Sequence, residues 1–356
     1  MEAPSRVTAD ATLKPVPHRR AVIGNASNFW LHSSRNGFDL THPPSPSSKP
    51  TYPRVHLQTT TTPISLSPAK TALVIIDMQN FFLSEAFGRA RGPGHAAADQ
   101  LLKYAIPAAR KAGLQIVWLN WGLDDEDIEK MPPAVKRAFG FEAVVDEDDA
   151  VDGKTSEPNG VSGKPDALAN QPRGIAADKQ DDAPQQGGPQ LNELGKDRRI
   201  YKGIGSPCGT VVLPSGETVD AGRLLMRDTW NAALHPPLDA AYEEGSKLSH
   251  NPDVWIHKDR MSGLWGLRTA CEDFLEECGI RTLLFTGVNT DQCVSGTLTD
   301  AFCKGYDCVL LKDGCGTTSP SYAQQCIELN AAKTWGFVAT CEDLMKGVEE
   351  METNSR

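Results

Sequence analysis

Asp77, Lys258 and Cys293 each end an apolar run, and together they could carry out nucleophilic chemistry. The run from Thr282 to Phe285 leads through Gly287-Val288-Asn289-Thr290 to Cys293, after which the residues take a helical period. A cysteine in the first turn of a helix faces backbone N–H groups that lack intrahelical partners. Such groups lower a thiol's pKa and can receive the negative oxygen of a tetrahedral intermediate. Taken alone, the segment equally fits a buried cysteine at a strand-to-helix junction. A thiol nucleophile also needs a base and a cation to hold the charged pair. The run from Thr71 to Ile76 ends in Asp77-Met78-Gln79, and the run from Val254 to His257 ends in Lys258 followed by Asp259-Arg260-Met261-Ser262-Gly263. Asp77 by itself could be a helix cap and Lys258 a solvated strand end. An acid, an ammonium and a thiol at three strand ends point instead to covalent hydrolysis. On this reading the Cys293 thiol is activated and should alkylate faster than the other eight cysteines.

The elements that must position these residues alternate in period. Strands are predicted at 71–77, 114–120, 254–258, 282–288, 307–311 and 336–340, with helices near 95–112 and over 266–279, 292–304 and 320–334. Such alternation predicts an α/β fold: a six-stranded, mainly parallel sheet with helices on both faces, a Rossmann-type three-layer arrangement. Catalytic residues then collect at the carboxyl edge of the sheet. A hairpin is predicted at 210–220, around Pro214-Ser215-Gly216, either as a flap near the site or as a structural edge.

With these residues in place, the sequence resembles the isochorismatase-like cysteine hydrolases, a superfamily that includes nicotinamidases, N-carbamoylsarcosine amidohydrolases and ureidoacrylate amidohydrolases. The matching motifs are Asp77-Met78-Gln79, the run from His257 through Lys258 to Gly263, and the run from Gly287 to Val294 around Cys293. The resemblance covers roughly residues 70–122 and 222–345. In flavour it is nearest to the ureidoacrylate amidohydrolases, through Arg227-Asp228-Thr229-Trp230-Asn231. It implies a catalytic set of Asp77, Lys258 and Cys293, a cis peptide between Val288 and Asn289, and an oxyanion hole built from the amides of Asn289 and Cys293.

The activity so implied is cleavage of a C–N bond in a small amide, ureido or carbamoyl compound through a thioester, with release of ammonia or an amine. No redox cofactor or metal is implied. Nicotinamidases carry an Asp-x-His motif after the second strand, and the corresponding place here reads Leu119-Asn120-Trp121-Gly122-Leu123. Gln79, Asn120, Trp121, Trp230 and Trp265 are expected to line the substrate pocket, the amides to pair with a planar ureide or amide; ordinary core packing fits the tryptophans equally. Two other classes stay open. One is an isochorismate-type vinyl ether hydrolase, against which Cys293 argues; the other is a non-catalytic binding protein on the same fold.

Composition bounds the partners. A chain of 356 residues with 39% hydrophobic content and a net charge of −10 suits a globular protein with a sizeable core. No basic patch suggests nucleic acid, and no segment has the roughly 18 consecutive apolar residues of a membrane span. Nine cysteines without disulfide-scaffold spacing fit a reducing compartment, so a cytoplasmic homo-oligomer, dimer or tetramer, is expected. Residues 1–65, rich in Pro, Ser and Thr, are read as an extended arm, with Ile23, Phe29, Trp30, Leu31 and Phe38 docked on the body or a neighbour. The aromatic-free, acidic stretch 143–200 is read as a disordered insertion into the 66–345 hydrolase domain, and 346–356 as a tail.

Overall fold

The structure, a computed structural model, describes residues 17–140 and 203–351, so the predicted insertion lies outside the described residues. Where the sequence suggests an extended arm, it has a sheet of β1 (Arg20–Gly24), β2 (Phe29–Ser33), β3 (Gly37–Leu40), β4 (Val55–Leu57) and β5 (Ile64–Leu66), in the order β1-β2-β3-β5-β4. Strands this short need an apolar face to dock. Leu40, Val55, Leu57, Ile64 and Leu66 supply it, buried in one layer with Leu344 and Val348 of the helix Cys341–Glu349. Trp30 and Phe38 pack on Phe337, each with ring centroids 5.6 Å from it. Ile23, expected to dock, is exposed with its strand β1, whereas Phe29 is buried and Leu31 half-buried.

A buried carboxylate anchors this sheet. Asp307 accepts hydrogen bonds from Trp30 Nε1 at 2.7 Å and Thr282 Oγ1 at 2.9 Å, and meets His42 Nε2 at 2.6 Å.

The central sheet comprises β6 (Thr71–Ile76), β7 (Gln115–Trp121), β10 (Val254–Lys258), β11 (Thr282–Val288), β12 (Asp307–Gly316) and β13 (Gly336–Ala339), in the order β10-β7-β6-β11-β12-β13 and parallel throughout. The six predicted strands are all present, with β12 running five residues beyond its predicted end. Successive side chains of β6 separate two hydrophobic layers. Leu73 and Ile75 face the layer shared with the amino-terminal sheet; Ala72, Val74 and Ile76 face a second layer with Leu275 and Leu298. Those two leucines belong to the helices Ala270–Glu277 and Ser295–Lys304. β6 is therefore buried along its whole length, as a strand of a sheet covered on both faces requires.

The strand order reverses direction between β6 and β11. Open α/β sheets bind ligands beyond the carboxyl ends of the strands that flank such a switch, and Asp77 and Asn289 stand directly after β6 and β11. The predicted hairpin is formed by β8 (Thr210–Val212) and β9 (Thr218–Asp220), largely exposed.

Candidate active site

Each residue at the carboxyl edge is turned into place by local backbone. Asp77 has φ of +53°, a left-handed conformation that reverses the chain where β6 stops. Gly287 allows β11 to press against β6: with φ of +111°, a Cβ here would lie 2.0 Å from the Ile76 carbonyl oxygen. The next peptide, Val288–Asn289, is cis. Cys293 lies in the wide turn Thr290–Val294, one turn ahead of the helix Ser295–Lys304; the sequence suggested a helix opening at residue 292. Single wide turns of this kind occur often at functional sites.

These turns bring Asp77, Lys258 and Cys293 together. The Lys258 ammonium lies 2.9 Å from Asp77 Oδ2, and both side chains are essentially inaccessible to solvent. Trp121, at the end of β7 between them, donates its backbone N–H to Asp77 Oδ1 at 3.0 Å. Its ring centroid is 4.0 Å from Lys258 Nζ. Lys258 also donates to the Arg260 carbonyl at 3.0 Å. The Cys293 thiol lies close enough to Asp77 for each to shift the other's pKa. Trp121 Nε1 is buried without a hydrogen-bond partner.

Burial decides the electrostatics. It raises the Asp77 pKa, against Lys258, the Cys293 thiol and the Trp121 N–H, which favour the carboxylate. It pushes the Cys293 thiol up to about 12, with Asp77 adding to the rise and Lys258 and Trp121 opposing it. The expected activation of a resting thiol by the helix N-terminus is thus outweighed by burial. With one cation enclosed, the site tolerates one negative charge, and Asp77 and Cys293 share a single proton. Moving it from sulfur to carboxylate leaves the net charge unchanged.

The remaining predicted residues divide. Trp121 walls the site. Gln79 is fully committed to the backbone: Nε2 donates to the carbonyls of Trp121 at 2.7 Å and Ala232 at 2.6 Å, and Oε1 accepts from Trp121 N–H at 3.1 Å. Its expected substrate contact is replaced by a tie between the end of β7 and the Trp230–Ala232 turn. Trp230 stacks near Phe87 with centroids 5.6 Å apart. Trp265 is 40% exposed and tethered by Nε1 to Asp259 Oδ1 at 2.8 Å. Asn120 is fully buried, and neither its amide nitrogen nor its oxygen has a partner. Asn289, 7% exposed, follows the cis peptide, and its carbonyl accepts from Gln292 N–H at 3.0 Å and Val294 N–H at 3.2 Å.

Sequence reasoning missed two supports. Thr297, one helical turn after Cys293, donates to the Cys293 carbonyl at 2.7 Å and accepts from Gly263 N–H at 3.2 Å, fixing the loop after Lys258 to the cysteine turn. Its spacing from Cys293 was the available signal. Arg89 is buried beside Phe81; within Gly88-Arg89-Ala90-Arg91-Gly92 it reads as a solvated loop residue.

The chain is similar to known proteins in sequence and fold. The isochorismatase domain family matches residues 213–343. The ureidoacrylate amidohydrolase of Rhizobium rhizogenes is 26% identical over 296 residues, covering 81% of this chain and 87% of the relative. That of Enterobacter sp. is 25% identical, covering 80% and 92%. Among solved structures, a cysteine hydrolase from Pseudomonas syringae pv. phaseolicola has a TM-score of 0.48 at 15% identity, covering 85% of this chain and 99% of that one. Nicotinamidase from Bacillus subtilis has a TM-score of 0.44 at 16% identity, covering 76% and 99%. Residues 213–343 thus match the isochorismatase domain, and the chain is similar over about four fifths of its length to ureidoacrylate amidohydrolases.

Proposed function

We propose that this protein cleaves the C–N bond of a small amide, ureido or carbamoyl compound, with Cys293 as nucleophile, Asp77 as acid–base and Lys258 as the compensating cation. The observation that carries this reading is the enclosed Asp77–Lys258 pair at 2.9 Å, with the buried Cys293 thiol near enough for that carboxylate to raise its pKa. The similarity to ureidoacrylate amidohydrolases supports a carbonyl flanked by nitrogen as the target.

In the first step Asp77 takes the thiol proton as sulfur attacks the carbonyl carbon. The ammonium of Lys258 then faces the reacting sulfur in place of an ionised carboxylate. Charge builds on the carbonyl oxygen, for which the backbone N–H groups of Asn289 and Cys293 are the proposed donors. Protonated Asp77 gives its proton to the leaving nitrogen, the C–N bond breaks, and a thioester remains. Water, losing a proton to Asp77, hydrolyses the thioester, and the departing sulfur recovers that proton. Proton supply to the nitrogen is what a vinyl ether hydrolase with no thiol would not need, so this set favours C–N cleavage. Asn120, with its amide unpartnered, is the proposed contact to the planar substrate.

Nine free cysteines accord with a reducing, cytoplasmic setting. The large exposed side chains of Leu267, Tyr322 and Leu329 accord with a homo-oligomer. Ammonia and amine release from a panel of amides and ureides, with Cys293→Ala as control, tests the reading. Turnover of at least one compound that Cys293→Ala abolishes is expected; undiminished turnover by folded Cys293→Ala would contradict it.

A further inference from the structure

β1 is an unguarded sheet edge. It stands first in the order β1-β2-β3-β5-β4, and among the described residues only β2 pairs with it. All five of its residues, Arg20-Ala21-Val22-Ile23-Gly24, are exposed, Val22 at 55% and Ile23 at 47%. A free edge is a template for pairing with another chain, and proteins ordinarily blunt it with lysine, proline or a bulge. The interior of β1 is Ala-Val-Ile in unbroken register with β2. It is bounded by Pro17 on one side and by Gly24, at φ of +119°, on the other.

The ladder to β2 decides which backbone groups of β1 are free. Ser34 N–H donates to the Arg19 carbonyl and Asn25 N–H to the Asn28 carbonyl, each at 2.9 Å. In an antiparallel pair, positions that bond the neighbour alternate with positions whose N–H and C=O point the other way. Residues 19, 21, 23 and 25 therefore bond β2, and Arg20, Val22 and Gly24 turn their backbone groups outward. Side chains alternate as well. Ile23, opposite Trp30, lines a cleft of about 430 Å³ with Phe302, Tyr306 and Trp335, and Val22 lies on the other face. Phe302 is itself 41% exposed.

We infer that β1 pairs antiparallel with β1 of a second copy of this chain, about a two-fold axis through Val22, so that the two amino-terminal sheets become one. The outward-facing residues are symmetric about Val22, and self-pairing uses all of them. Val22 exchanges two hydrogen bonds with the partner's Val22, and Arg20 faces the partner's Gly24. Centring the pair on Ala21 or Ile23 would leave Gly24 or Arg20 opposite residues outside the strand. The charge pattern agrees: His18, Arg19 and Arg20 stand at one end of β1, so an antiparallel pair keeps the two basic clusters apart, whereas like charges side by side would repel. On the cleft side, Ile23 meets the partner's Ala21 and extends the apolar strip that Phe302 begins.

The test measures the mass of the full-length protein by light scattering and sedimentation over about a hundredfold range of micromolar concentration. The wild-type chain should self-associate. Val22→Pro removes an N–H that the monomer leaves free, a change that an edge strand tolerates. It should weaken the association at least about tenfold, as loss of the two central hydrogen bonds requires, and melt with the wild type at the lowest concentration. Mild oxidation of Val22→Cys should join two copies through residue 22, because Cα atoms in such a pair lie about 5.5 Å apart, within reach of a disulfide. Ala21→Cys and Ile23→Cys should form no such bond with themselves, and peptide mapping separates the bond from any made by the exposed Cys278, Cys303 and Cys326. A monomeric wild type, undiminished association of folded Val22→Pro, or Val22→Cys that forms no bond between the two residues 22 would each overturn the inference. The first of these results would leave the edge to a different protein or to another segment of this chain.

Discussion

At the scale of single residues, the site is governed by how much charge it encloses. Lys258 is the only cation in contact with Asp77 among the described residues, and its loss leaves a carboxylate buried alone. The base form of Asp77 is needed for attack, and burial already raises its pKa. Lys258→Met should raise it further, moving the acid limb of the kcat/KM profile upward by at least about one pH unit, with a loss of roughly 100-fold near neutrality. A profile unmoved in Lys258→Met would remove the lysine from this role. The linkage has a definite sign. A carboxyl whose folded pKa is raised contributes stability below the unfolded value and loses it as pH rises through the folded value, so Lys258→Met should become less stable as the solution is made more alkaline. The thiol gives a second prediction. Cys278, Cys303 and Cys326 are exposed, whereas Cys293 is enclosed and carries its proton. Iodoacetamide should therefore label those three before Cys293 in the resting protein, and peptide mapping that found Cys293 labelled first would contradict the shared-proton description. The residue types were legible because each stands at, or a few residues past, the end of an apolar strand. The protonation state was not, because it depends on burial by Trp121 and on a partner 216 positions away along the chain, Asp77 from Cys293.

At the scale of elements, the seam between β6 and β11 sets the spacing of the proposed base and nucleophile. Gly287→Ala would drive a Cβ into the Ile76 carbonyl, where the backbone cannot yield without opening the seam. A destabilisation of at least about 3 kcal/mol is expected, lowering the melting temperature on the order of 10 °C, with activity lost along with it. A variant with wild-type melting and turnover would show that the two strands are not held as tightly as described. The six parallel strands were readable because a sheet covered on both faces demands uninterrupted apolar runs, and β6 and β11 have them. The amino-terminal sheet was not. Val55 and Leu57, or Ile64 and Leu66, are too few to read as amphipathic strands among Pro, Ser and Thr, and acquire meaning only against the Cys341–Glu349 helix. Gln79 was misread for a related reason: a side-chain amide near a strand end suggests ligand binding, and the backbone carbonyls that occupy it come from β7 and from residue 232.

At the scale of the whole molecule, the amino-terminal sheet and the active site occupy opposite ends of the central strands. Asp307 opens β12 and receives Trp30, His42 and Thr282, while the proposed catalytic residues lie at the carboxyl edge. Asp307→Ala leaves those donors unpaired inside the protein and should cost about 2–3 kcal/mol. Hydrogen exchange should quicken across residues 20–66, with turnover at 25 °C held within about twofold; unchanged exchange there would show that the sheet is anchored by its apolar face alone. The chemistry of the molecule is tested most directly by stopping the reaction in acid during turnover of an amide or ureide that the wild-type protein hydrolyses, then measuring the mass of the peptide that contains Cys293. The account predicts a transient increase equal to the acyl group, carried on Cys293 and absent at the other eight cysteines. Sustained turnover with no adduct on Cys293 at any time, under conditions that preserve thioesters and with deacylation limiting the rate, would contradict it.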